Sequence, residues 1–310
     1  NICAVNEAKP SIKLADGPLT KEKILDAYSD LFTGVGLLDG EVHLDVDESV
    51  PPVQMPPRRL AVPIKDKVKQ ELDKMGADGI IEPVTEPSPW VSALLVVRKA
   101  NGQVRVCIDP KYTINEALKR RPFPMTTLDE VLPRLAKAKV FSTADATSGY
   151  WHCQLDKESR PLTTFETPFG MYRFCRLAMG LSPSPEIFMA KMHETLVGLN
   201  GIACIADDIL IFGCGETMEE ASADHDRNLL SLLERCRERN LHLNKDKLQL
   251  RRESTIFMGH ELAKEGLRPD EQKVGAIVNM PPPSDRPGVM RLLGMGTYLA
   301  RYEPHFSEVK

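Results

Sequence analysis

Two apolar runs in this 310-residue chain end in carboxylates. Val140-Phe141-Ser142-Thr143-Ala144 runs into Asp145, and Ile202-Ala203-Cys204-Ile205-Ala206 runs into the pair Asp207-Asp208, after which Ile209 to Phe212 is apolar again. An apolar strand that ends in an acid holds a carboxylate oxygen rigidly at the edge of a sheet. Two such tips side by side can bind two magnesium ions ~3.5–4 Å apart, the arrangement that clamps the attacking and leaving oxygens of a phosphoryl transfer. A lone Asp beside a turn more often caps or bends the chain. An adjacent pair between apolar strands is more specific, because the two charges repel unless a cation sits between them. Taken alone, the pattern still admits metal-dependent phosphatases and nucleases.

The remaining elements must position these tips. Asp207 and Asp208 sit in a hairpin turn between two strands. Val91 to Arg98 and Val104 to Ile108 are further strands, joined by Lys99-Ala100-Asn101-Gly102 with the Asn-Gly signal of a tight hairpin. Helical spacing predicts helices over Leu19 to Phe32, Ile64 to Met75, Thr127 to Leu135, Pro185 to Leu199 and Glu219 to Asn240. The cluster Pro51, Pro52, Pro56 and Pro57 predicts an extended connector. Leu241 to Leu243, Leu248 to Leu250 and Ile256 to Met258 read as short strands. Two final helices, Glu271 to Met280 and Arg286 to Tyr302, are split by Pro281-Pro282-Pro283.

Composition sets only wide bounds. The chain is long enough for more than one packed unit. It contains no apolar run of spanning length and no secretory leader pattern at Asn1 to Lys13, so the expected setting is intracellular and cytoplasmic, with virus-like particles and the nucleus as open alternatives. It begins without Met, as a piece of a longer chain would. Seven scattered cysteines with no CxxC pair exclude a zinc ribbon and a disulfide framework. A net charge of −4 argues against a chain coated in positive charge. Binding a nucleic acid needs only a basic groove, for which Lys119-Arg120-Arg121 and the group Arg235, Arg237, Arg239, Lys245, Lys247, Arg251 and Arg252 are suited.

Several blocks around the acids, in one order, carry a family likeness. They are PPRRLAVPIKDKVKQELDKM, WVSALLVVRKANGQVRVCID, FSTADATSGYWHCQLD, TTFETPFGMYRFCRLAMGLSPSPEIF, IADDILIFG, LNKDKLQL, FMGHEL and PPPSDRPGVMRLLGMGTYLARY. From about Leu31 to the C-terminus the chain resembles the gypsy-type long-terminal-repeat retrotransposon reverse transcriptases, the polymerase portion of a pol polyprotein. The resemblance implies an α+β fold, a right-hand polymerase with fingers, ferredoxin-like palm and partial thumb. It implies an N-terminal linker region over 1–50, fingers over 51–120 and 153–184, palm over 121–152 and 185–262, and thumb over 263–310.

By the same resemblance, Asp145, Asp207 and Asp208 are the catalytic acids. They would hold two Mg2+ ions, with Mn2+ as an alternative, helped by the backbone carbonyl of Ala146. Lys99, Arg105, Tyr150, Met179 and Gly180 are the expected deoxynucleotide-binding residues: the two cations hold triphosphate, Tyr150 crowds a ribose 2′-hydroxyl, and Met179 and Gly180 meet the nascent base pair. A mobile basic hairpin closing on phosphate suits the first two physically, since guanidinium gives bidentate contact. Phe257, Met258, Gly259 and His260 resemble the primer grip, the turn that steadies the primer end. Either Lys245 or Lys247 is the expected proton donor to leaving pyrophosphate.

The implied partners are an RNA or DNA template with its primer and dNTPs, with ribonuclease H and integrase domains of a polyprotein outside this chain and no membrane. Two departures from the family pattern stand out. Ile205-Ala206 precedes the paired acids where Tyr-Val or a similar pair is usual, and Glu116 follows Ile114-Asn115 where Lys is common. A rival from another class is a nucleic-acid-binding descendant that no longer polymerises. Three retained acids argue against it, and a metal phosphatase would leave the fingers and thumb segments without a role.

Overall fold

The structure, a computed structural model, describes residue 12 and residues 19–98 and 102–302. Residues 19–50 pack onto the main core. α1 (Lys21–Ala27) starts at Thr20, whose hydroxyl accepts from Lys23 N–H, and a 3-10 turn over Ser29–Phe32 follows. Ile24, Tyr28, Leu31, Leu38, Val42 and Leu44 are all buried in the main core. The Tyr28 hydroxyl donates to Glu234 at 2.6 Å, and Arg237 pairs with Asp30 at 2.8 Å. The expectation of a linker over 1–50 is therefore corrected for 19–50, whose apolar residues recur at spacings that can be buried.

α2 (Val62–Ala77) buries Val68, Leu72 and Met75, which share one helical face. It is followed by β1 (Ile81–Val84), β2 (Ser92–Arg98) and β3 (Val104–Asp109). α3 (Leu128–Val131) opens on a reciprocal capping box between Thr127 and Glu130, and β4 (Ala138–Asp145) comes next. The chain then leaves to make β5 (Phe165–Thr167) and β6 (Gly170–Phe174), which join the first three strands in the order β1-β6-β5-β2-β3.

α4 (Ser184–Leu196), β7 (Ile202–Ile205), β8 (Asp208–Cys214), α5 (Met218–Glu238) and β9 (Gln249–Arg252) complete a second sheet with β4, ordered β7-β8-β4-β9. Setting aside the inserted β5 and β6, this is the β-α-β-β-α-β unit expected of a ferredoxin-like palm. It also explains why Ile209 to Phe212 is apolar at every position rather than at every second one. Ile209 and Ile211 enter the main core beside α4 and α5, while Leu210 and Phe212 enter a second cluster with Phe141, Ile205, Phe257 and Leu262. Successive strand residues point to opposite faces, and both faces here are covered.

The strand expected over Leu241 to Leu243 does not form; Leu243 makes one isolated bridge, to Ala146. β10 (Ser254–Phe257), β11 (His260–Ala263) and β12 (Gly266–Pro269) form an antiparallel meander. β11 crosses the expected palm–thumb boundary at 262/263, and its ladder with β12 is continuous through it. α6 (Glu271–Val278) and α7 (Arg286–Leu299) follow, each capped by an aspartate side chain, Asp270 and Asp285.

Candidate active site

Antiparallel pairing of β4 with β8 sets Asp145 opposite Asp208, and pairing of β7 with β8 sets Ile205 opposite Asp208. Ala206 and Asp207 are therefore the two-residue tip of the β7–β8 hairpin. Ala206 takes φ 55°, a left-handed conformation that a residue with a Cβ adopts at a cost. The Ala146 N–H donates to the Asp207 carbonyl at 3.2 Å, which ties the end of β4 to that tip. On the other side, Asn244 N–H donates to the Asp145 carbonyl at 2.9 Å and Thr147 N–H to the His242 carbonyl at 3.0 Å. These bonds bring the segment after α5 alongside the acids.

That segment delivers a cation. Lys247 Nζ lies 2.5 Å from Asp145 Oδ2, so of the two candidate lysines it is Lys247 that reaches the acids. Asp145 is buried, Asp208 half-buried and Asp207 exposed. Burial raises the pKa of Asp145, with Lys247 working against the rise and the charge of Asp207 adding to it. Burial also raises Asp208, and the charges of Asp207 and Asp145 push it further. For Lys247, burial disfavours the ammonium, but its bond to Asp145 and the charges of all three aspartates outweigh this and hold its pKa above the ordinary value. Lys247 is thus paired with Asp145 and sits within the field of Asp207 and Asp208, whose carboxylate oxygens are hard donors of the kind magnesium takes.

Beside the tip lies a cavity of about 270 Å³ lined by Arg105, Gly149, Tyr150, Met179, Phe188 and Asp207, among others. Arg105, Tyr150 and Met179, three of the five expected nucleotide-binding residues, thus share one space with an acid. Lys99 lies outside the described residues. The Tyr150 ring is held edge-on to Phe188 with centroids 5.5 Å apart. A Cβ on Gly149 would come within 2.9 Å of the Phe188 ring, so glycine there lets the two aromatics meet. Gly180 has a packing reason of its own. Its φ is +109°, and a Cβ would sit 2.5 Å from the Ile108 carbonyl, so glycine packs this loop onto the end of β3. Asn115 holds the same loop, donating to the Gly180 carbonyl at 2.9 Å and accepting from Ser182 N–H at 2.8 Å.

The four residues expected of the primer grip divide in role. Phe257 is buried in the second core cluster beside Ile205 and Leu210. Met258 is exposed at the turn, with Met258 at φ 51° and Gly259 at φ 75°. The His260 ring, half-buried, packs against Tyr298 and Tyr302. Ile205 is itself 5% exposed, so its side chain serves that core.

Several of the cations expected to form a phosphate-binding groove are tied to other parts of the chain. Arg235 donates to the carbonyls of Thr195 and Val197, Arg237 pairs with Asp30, and Arg251 pairs with Asp226. Arg120 pairs with Glu186. These partners come from distant segments, which a run of charges cannot reveal. Phe188 was likewise invisible as a site residue, since in the sequence it is one more apolar position of α4.

Three comparisons bear on this arrangement. A family model described as "Reverse transcriptase (RNA-dependent DNA polymerase)" matches residues 97–262. The chain is 30% identical over 302 residues to the retrovirus-related Pol polyprotein from transposon 412 of Drosophila melanogaster, covering 93% of this chain and 23% of that protein. It is 31% identical over 254 residues to the corresponding polyprotein from transposon gypsy of the same organism, covering 79% of this chain and 24% of the other. The chain thus spans about a quarter of the length of these relatives. Among solved structures it resembles the foamy viral protease-reverse transcriptase in complex with double-stranded DNA, with a TM-score of 0.83 and 22% identity over 97% of this chain and 52% of that one. That likeness is one of fold: a right-hand polymerase of mixed α and β structure. No helix among the described residues is long and apolar enough to cross a membrane.

Proposed function

The chain belongs to the reverse transcriptase (RNA-dependent DNA polymerase) family, and on that footing we propose that it extends a primer along an RNA or DNA template, joining deoxynucleotides to the primer 3′-hydroxyl. The observation that carries this reading is the meeting of Asp145, Asp207 and Asp208 at two adjacent strand ends, beside a cavity that also contains Arg105, Tyr150 and Met179. A binding protein without chemistry has no use for three carboxylates that raise one another's charging cost at neighbouring strand ends.

In this reading the five-stranded sheet belongs to the fingers, the β-α-β-β-α-β unit is the palm, and α6 and α7 begin the thumb. The carboxylates of Asp145, Asp207 and Asp208, with the Ala146 carbonyl, would hold two magnesium ions, which would supply Lewis acidity for the attacking hydroxyl and charge neutralisation for the triphosphate. Arg105 contributes a guanidinium to the phosphates. Tyr150, backed by Phe188, walls the cavity where a ribose 2′-hydroxyl would project. Lys247, protonated and already beside Asp145, donates a proton toward departing pyrophosphate. Met258 and Gly259 form the turn that steadies the primer end.

Primer extension with purified chain, template–primer and dNTPs tests the proposal. Wild type should extend, and Asp207→Asn should abolish incorporation while leaving template–primer affinity largely intact. Undiminished extension by Asp207→Asn would overturn it.

A further inference from the structure

The carbonyl of Gly259 accepts two hydrogen bonds, both from the last two helices. Tyr298 Oη on α7 donates at 2.9 Å and Lys273 Nζ on α6 donates at 3.0 Å. The Tyr298 hydroxyl in turn accepts from Asp270 N–H at 2.9 Å, so one oxygen joins the turn, the start of α6 and the end of α7. Lys273 also lies 4.5 Å over the Tyr298 ring. The His260 ring stands 5.1 Å from Tyr298 and 5.9 Å from Tyr302, and its Nδ1 meets the Tyr302 hydroxyl.

The turn needs such support. Phe257 and His260 are paired across a two-residue loop, and both loop residues have positive φ. Glycine tolerates this readily, whereas Met258 does not. A Cβ at Gly259 would fall 2.0 Å from Lys273 Nζ, so the lysine passes through the space a side chain would fill. Phe257 anchors the base of the turn to the palm core beside Ile205 and Leu210. The turn is thus fixed to the palm at one end and to the two helices at its tip.

We propose that Tyr298 and Lys273 are positioning residues: they latch the Met258–Gly259 turn to the thumb, so that the placement of the primer 3′ end depends on how α6 and α7 sit. This rests on the polymerase reading, because only a primer gives the turn something to place. The bland alternative is that the bonds merely hold the helices on.

The test uses the whole chain with Tyr298→Phe, Lys273→Met, the double change, Lys273→Arg as the conservative rescue, and Tyr302→Phe, which leaves both residues that bond Gly259 unchanged. Template–primer carrying 2-aminopurine at the primer terminus reports placement, and its dissociation rate is measured without nucleotide. The double variant is expected to dissociate about fivefold faster or more, as loss of two hydrogen bonds allows, and to alter the terminal fluorescence. Lys273→Arg and Tyr302→Phe should remain near wild type in both readouts. The latch is overturned if the double variant melts earlier yet keeps wild-type dissociation and fluorescence, or if Tyr302→Phe matches it. A wild type that binds template–primer but never extends it would sink the polymerase reading, while the nucleotide-free measurement would still decide the latch.

Discussion

Lys247 Nζ stands 2.5 Å from Asp145 Oδ2, joining a residue at the end of β4 to one 102 positions later in the chain. The contact places a protonated amine on Asp145, within the field of Asp207 and Asp208. If Lys247 is the proton donor, Lys247→Ala should slow single-nucleotide incorporation by about 10²-fold or more, the usual weight of a general acid. Lys245→Ala should leave the rate nearly unchanged. Rapid-quench incorporation with saturating dNTP distinguishes them, and equal effects from the two would remove Lys247 from the role.

Tyr150 and Phe188 meet edge-on in the cavity beside Asp207. Tyr150→Val should lower the preference for dNTP over rNTP at least tenfold, about 1.4 kcal/mol. Competition in single-nucleotide incorporation measures this directly. An unchanged preference would make Tyr150 a packing residue only.

Ala206 carries φ 55° at the tip of the β7–β8 hairpin. Relief of that conformation should outweigh the added flexibility of the unfolded chain, so Ala206→Gly is expected to raise stability by about 0.5 kcal/mol. The neighbouring Ile205→Tyr should instead cost about 1–3 kcal/mol, since a larger side chain with a hydroxyl must enter a filled core. Urea denaturation of both variants checks the two signs.

His152 supplies a pH dependence. Burial lowers its pKa to about 4, with the nearby charges of His242 and Arg176 adding to the drop. Its neutral form is bonded at both nitrogens: Nδ1 lies 3.1 Å from the Gly149 carbonyl, and Nε2 accepts from His242 N–H at 3.0 Å. Protonation would leave that N–H without an acceptor. Since the folded pKa lies below the unfolded one, the unfolded state binds more protons between them. The stabilisation is thus full above about pH 6.5 and is lost as pH falls toward 4. Its share of the loss between pH 7 and pH 4.5 is about 2–3 kcal/mol. His152→Gln should therefore show a shallower fall in stability over that interval than wild type, read by urea denaturation at both pH values. Parallel falls would exclude His152 as the cause.

What the sequence determined by itself is what short-range physics encodes. An apolar run ending in Asp145, another ending in Asp207-Asp208, the helical spacing of Leu229, Leu232, Leu233 and Cys236, and the strand character of Val104 to Ile108 all depend on residues close along the chain. The order of the family blocks added the right-hand fold, because a repeated arrangement of local patterns carries the topology with it.

Only the tertiary structure decided which distant residues meet. Asp145 faces Asp208 because of a β-ladder register, and one residue of slip would turn either acid to the opposite face. Lys247 rather than Lys245 reaches Asp145 because bonds from Thr147 to His242 and from Asn244 to Asp145 fix the approach of that segment. Arg235, Arg237 and Arg251 look like a plain run of charge in the sequence and each ties two distant segments in the fold, since their partners lie far away along the chain. The same holds for the burial of residues 19–50 and for the bonds of Tyr298 and Lys273 to Gly259. Propensity and patterning act over a few residues, whereas these contacts depend on the registers and packing angles of whole elements.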